Sequence, residues 1–180
     1  MFTGLIETTG EVVSFVPGAG AARLTIAAPE IARRLRTGDS VAVNGVCLTA
    51  LEIEPDAFPP RFTADLATET IARTTLSRLG PGSVVNLESP TPAGSPLGGH
   101  VVQGHVDGVG TLIGLNQLSP GVEASDWVLS LRMPESLTRY VVEKGSIAVE
   151  GFALQLQASR ARRYGLRFCH IRIQRPICIR

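Results

Sequence analysis

The chain repeats itself, and the repeat limits what it can fold into more than any other feature. "FTGLIETTGEV" (2–12) lies over "VQGHVDGVGTL" (102–112) at an offset of 100, with Gly4 over Gly104, Glu7 over Asp107 and Gly10 over Gly110. Farther on, "PEIARRLRTGDSVAVNGVCLT" (29–49) lies over "PESLTRYVVEKGSIAVEGFALQ" (134–155), with one extra residue in the second copy. Self-similarity of this kind points to two like units in tandem. The 180 residues then divide into a first domain over 1–97 and a second over 98–180, each about 90 residues and able to bury a core. "SPTPAGSPLGG" (89–99) reads as the linker.

Within each copy the pattern is that of short strands around a short helix. In the first copy the strand candidates are 11–15, 22–27, 40–43, 46–53, 61–66 and 83–88. "SVAVN" and "LEIE" alternate with period two, as a half-buried strand does. Asn44-Gly45 between two such runs predicts a tight hairpin turn. Proline at 29 and 134 suits the first turn of a helix, and the glycine that follows suits its stop. "TETIARTTLSRLGPG" (68–82) predicts a second short helix stopped by Gly80-Pro81-Gly82. Six short strands per copy, with 19 glycines and 12 prolines to turn them, predict an all-β chain of small closed barrels.

Charge separates the chain differently. Residues 1–150 carry nine arginines and one lysine against all sixteen acids, whereas 151–180 carry seven arginines and no acid. A basic tail raises nucleic-acid binding as a reading. This one has no nucleic-acid motif and is interleaved with Ile171, Ile173, Ile177 and Ile179, so no nucleic-acid partner is expected. Three cysteines, Cys47, Cys169 and Cys178, make no disulfide framework and fit a reducing cytoplasm. Cys169, His170 and Cys178 lack the spacing and the fourth ligand of a zinc site, so no metal is expected. "MFTGLIETTG" has no signal-peptide character, and no apolar run is long enough to span a membrane.

Taken together, "MFTGLIE", "VNGVCLT", "DLATETIARTTL" and "GGHVVQGHVDGVG", in this order across a duplicated chain, resemble the riboflavin synthases of the alpha-chain type. The resemblance covers residues 1 to about 151. It implies two six-stranded Greek-key barrels per subunit, a C-terminal helix and a homotrimer. It also implies a reaction in which two molecules of 6,7-dimethyl-8-ribityllumazine dismutate to riboflavin and 5-amino-6-ribitylamino-uracil, with no cofactor and no metal. A duplicated chain suits such chemistry, because two identical substrates require two similar pockets.

The resemblance also implies the site. Gly4, Leu5 and Ile6 match positions whose backbone meets the pteridine ring. Cys47, Leu48 and Thr49 match pocket residues, although a lone cysteine also serves as a small buried strand residue. Ser40 matches a further pocket residue, or simply starts a strand. In the segment Asp65, Leu66, Ala67, Thr68, Glu69, Thr70, the polar side chains and helix-start amides suit a ribityl chain. Asp65 or Thr68 also suits a helix cap, and both roles can hold. His105, between Gly104 and Val106, matches an active-site histidine able to move a proton near neutral pH; the alternative is a structural histidine. The catalytic candidates are therefore His105, Cys47 and Ser40.

In the second copy Lys144 matches a ligand contact, and Glu150 stands where the family has aspartate. The family's Gly-x-Ser-Leu-Thr has become Gly151-Phe152-Ala153-Leu154-Gln155, with both hydroxyls gone. The residues after Gly151 show neither matching strands nor a second "TADLATET" segment. The second barrel is therefore expected to be incomplete, its tail the product of truncation or a shifted reading frame. Open strand edges would then invite association, and the alternative to an active synthase is a lumazine- or flavin-binding protein without turnover.

Overall fold

The computed structural model describes residues 1–121, 127–160 and 163–168, with 157–160 and 163–168 described as backbone. Cys169, His170, Cys178 and the isoleucines of the tail lie outside the described residues. The chain forms two compact units. One comprises Met1–Val106 with Ala148–Phe152, and the other Asp107–Ile147 with Ala153–Arg180.

The first unit contains β1 (Thr8–Pro17), β2 (Ala21–Ala27), α1 (Pro29–Ala32), β3 (Ser40–Val43), β4 (Val46–Thr49), β5 (Ile53–Glu54), β6 (Arg61–Ala67), α2 (Thr68–Arg73), a 3-10 turn (Leu76–Arg78) and β7 (Val84–Glu88). Its strands neighbour in the order β4-β3-β7-β1-β2-β6-β5. The two ends of this order, β4 and β5, belong to one extended stretch, the single strand expected over 46–53. That stretch pairs with β3 at its start. Farther along it turns to β6, through Leu51 N–H to Thr63 O at 2.9 Å and Thr63 N–H to Glu52 O at 2.9 Å. A strand that changes neighbours in this way closes the sheet on itself. The result is a six-stranded barrel with Greek-key connections.

Alternation fills the barrel. Val12, Leu24, Ile26, Val41, Val43, Leu48, Phe62, Leu66 and Leu87 point inward, while α1 adds Ile31 and the 3-10 turn adds Leu76. The helix expected over 68–82 ends earlier, at Arg73. Thr74 is extended (φ −126°, ψ 171°), and its hydroxyl, at 2.6 Å, takes the Thr70 carbonyl that a further helical amide would have used. The 89–99 linker is tied down at its flanks. Thr91 N–H donates to Met1 O at 2.9 Å and His100 N–H to Thr3 O at 2.8 Å.

The second unit holds β8 (Thr111–Gln117), β9 (Trp127–Arg132) and α3 (Glu135–Thr138), with most of the sheet completed by β10 (Ser146–Val149), β11 (Phe152–Arg160) and β12 (Arg163–Phe168). Their order is β10-β11-β12-β9-β8. Substituting the repeat counterparts gives β3, β4/β5, β6, β2, β1, which is the ring order of the first barrel with the place of β7 left out. Even the irregularity of the first hairpin recurs: β1 shifts register between Val12 and Ser14, and β8 between Leu112 and Gly114. The expectation that the sequence after Gly151 carries no matching strands is therefore corrected. Leu154 and Leu156 are buried on one face of β11, a period-two signal hidden beneath the arginine content. Among the described residues no helix is long and apolar enough to cross a membrane.

Candidate functional site

The hairpin of β3 and β4 assembles the first set of candidate residues. Cα partners are Ser40 with Thr49 and Ala42 with Cys47. Directly opposed residues share a face, so Ser40, Cys47 and Thr49 come together on the outer wall of the barrel. Leu48 faces the other way, into the core, as Leu66 does on β6; these two offer a ligand only their backbone. Gly104 lies on the outer edge of the same hairpin. Cys47 N–H donates to Gly104 O at 2.9 Å, and a side-chain carbon at Gly104 would sit 2.7 Å from Cys47 Cβ. Glycine is required there twice over, since its φ of 81° is also left-handed. The exposed His105 follows directly, and Val106 packs on the core.

The hairpin turn is built twice. Asn44 and Gly45 have φ of 48° and 79°, and Glu150 and Gly151 have 49° and 89°, the two positive values of a tight primed turn. The two turns meet: a carbon added to Gly45 would lie 2.6 Å from Gly151 N, and one added to Gly151 would lie 2.7 Å from Ile6 Cδ1. Asn86 joins them. Its amide N–H donates to Asn44 Oδ1 at 2.7 Å, and its side-chain nitrogen donates to Glu150 O at 3.0 Å. Sequence reasoning missed Asn86, because its partners lie 42 and 64 residues away. Glu88, whose buried carboxylate receives Thr3 and Gly4, was missed for the same reason.

The "DLATET" segment divides. Asp65 is engaged in a two-point ion pair with Arg23, at 2.8 and 3.0 Å, on the outer face. That bond, with the charge of Arg23, holds the Asp65 carboxyl below the usual aspartate range. Neither Asp65 nor Thr68 caps α2. The cap position is Ala67, with no side-chain bond, and Thr68 Oγ1 donates instead to Gly20 O at 2.7 Å. Glu69 pairs with Arg73 one turn on, and Thr70 is half-buried.

In the second copy, Lys144 N–H donates to Leu156 O and Leu156 N–H to Gly145 O, at 3.1 and 2.9 Å. These bonds repeat those of Gly38 with Ala50 and Ala50 with Asp39. Lys144 (φ 65°) holds the left-handed conformation that Gly38 (φ 94°) holds in the first. Ala153 is half-buried, Leu154 buried and Gln155 exposed, matching Cys47, Leu48 and Thr49 in turn. Among the described residues no group of histidine, cysteine or carboxylate side chains is arranged to hold a metal ion.

Glu150 carries the one carboxyl here whose titration is shifted upward. Burial raises it above the ordinary 4.5, and a hydrogen bond from Thr75 opposes this. The folded chain thus keeps the proton to higher pH than the unfolded chain. Stability is full below 4.5 and falls as pH rises from there through the folded value. Glu150→Gln is expected to raise the melting temperature at pH 7 and to leave it nearly unchanged at pH 4. Equal shifts at both pH values, read by thermal scans, would contradict the assignment.

The known proteins place this geometry. A model of the lumazine binding domain family matches residues 3–90 and 103–168, once for each copy. Riboflavin synthase of Mycobacterium bovis is 48% identical over 155 residues, covering 86% of this chain and 73% of the relative. The chain belongs to the riboflavin synthase family. The Bacillus subtilis riboflavin synthase is 40% identical over 156 residues, 87% of this chain and 68% of the relative. Solved structures of LumP share the fold. The complex with riboflavin gives a TM-score of 0.80 at 23% identity, covering 93% of this chain and 86% of that one. The complex with 6,7-dimethyl-8-(1'-D-ribityl) lumazine gives 0.79 at 22%, covering 94% and 87%. The family match runs to residue 168, so kinship extends past the break in composition at 151.

Proposed function

We propose that this chain is a riboflavin synthase that joins two molecules of 6,7-dimethyl-8-ribityllumazine, one giving a four-carbon unit to the other, to form riboflavin and 5-amino-6-ribitylamino-uracil. The observation that carries the reading is the 48% identity to a named riboflavin synthase, on a chain that builds the same hairpin twice. The first lumazine is bound on the outer wall of the first barrel. The Gly4–Ile6 backbone meets its ring, Ser40, Cys47 and Thr49 line the pocket, and Thr68 and Thr70 serve the ribityl hydroxyls. Lys144, Ala153, Leu154 and Gln155 serve the second lumazine. Orientation does most of the work, since holding two reactants in register is equivalent to a concentration of roughly 10⁵ M or more. The C7 methyl of lumazine is acidic because its carbanion delocalises into the ring. His105 takes that proton or orients the attacking water. The proposed working assembly is a homotrimer in the cytoplasm.

A second reading, binding without turnover, is favoured by Ala153 and Gln155 standing where the family has hydroxyls. Incubation with the lumazine separates the two. The synthase reading expects growing riboflavin fluorescence, and light scattering at three times the chain mass. Lumazine bound with no riboflavin formed would support the second reading and overturn the first.

A further inference from the structure

Residues 3–6 form an arc held at both ends. Before it, Phe2 and Val102 exchange backbone bonds at 2.8 and 3.0 Å; after it, Glu7 N–H donates to Leu87 O at 3.0 Å. Between these anchors, where no strand partner is available, the arc is fastened by one side chain. Glu88, at the end of β7, is 5% exposed. Its Oε1 accepts from Thr3 N at 2.6 Å and from Thr3 Oγ1 at 2.7 Å, and its Oε2 accepts from Gly4 N at 3.1 Å. The Thr3 hydroxyl in turn accepts from Leu5 N at 3.3 Å. One buried carboxylate thus orders three consecutive amides, two directly and one by relay. A buried carboxylate is costly unless donors converge on it, and here the donors belong to the segment that must be shaped.

We propose that Glu88 is a positioning residue for the ligand: it fixes the Gly4–Leu5–Ile6 backbone in the conformation that receives the lumazine ring. This rests on the functional reading above, in which that arc meets the substrate. Glu88 does not touch the ring itself. Its loss therefore weakens binding by letting the arc wander, while the groups that move protons stay in place.

The test uses the full chain and the lumazine, with affinity read from ligand fluorescence and arc order from amide hydrogen exchange. Glu88→Gln turns an amide nitrogen toward donors. It is expected to weaken the dissociation constant by about tenfold to a hundredfold, with KM raised more than kcat is lowered, and to speed exchange at Thr3, Gly4 and Leu5. Native affinity in Glu88→Gln would overturn the proposal and leave the functional reading standing. If Glu88→Gln does not fold, Thr3→Val removes only the hydroxyl relay and should weaken binding severalfold, with Thr3→Ser restoring it; equal affinities in those two variants would overturn the proposal. An unaltered chain that binds no lumazine would instead overturn the functional reading, and the positioning role with it.

Discussion

Gly45→Ala is expected to cost about 3 kcal/mol of stability, roughly 10 °C in melting temperature. Two effects combine. The φ of 79° is one that alanine adopts only with strain. The added carbon would also lie 2.6 Å from Gly151 N and 2.8 Å from Gly151 Cα, both backbone atoms of an equally tight turn. Neither atom can swing aside as the end of a side chain would. Gly38→Ala isolates the first effect, because φ there is 94° and nothing lies within 4 Å of the added carbon. That variant should lose only about 1 kcal/mol. Denaturant titration of the two distinguishes them; equal losses would mean that the two turns do not depend on close approach.

The second large effect concerns chemistry. Ala153→Ser combined with Gln155→Thr is expected to raise lumazine turnover by roughly tenfold or more, the worth of one or two recovered hydrogen bonds to a polar ligand. The two positions repeat Cys47 and Thr49 of the first copy in burial and in place along the strand. The change therefore adds hydroxyls to a surface already shaped for them, without adding bulk at Gln155. Stopped assays on both chains at equal concentration measure it. Unchanged turnover would mean that the second copy does not contribute these positions to the reaction.

The sequence repeat made a large part of this legible. Two glycine-containing turns, aligned through "SVAVNG" and "SIAVEG", located both hairpins before any coordinates, and period-two alternation located the strands of the first barrel. What escaped has a common physical cause. A strand is defined by which faces it buries, not by its net charge, so β11 was concealed where arginines dominate the composition. Asp65 looked available for a ribityl chain until Arg23, 42 residues earlier, was found against it. Glu88 closes the same kind of gap across 85 residues to Thr3. A local reading can propose such side chains for a site, but only the fold says which are already engaged.

The most direct measurement follows both substrate and products in one reaction with the purified chain. Two lumazines should disappear for each riboflavin formed, with one 5-amino-6-ribitylamino-uracil appearing alongside and no added cofactor or metal. Lumazine that binds but is not consumed, or consumption without that two-to-one ratio, would contradict the assignment.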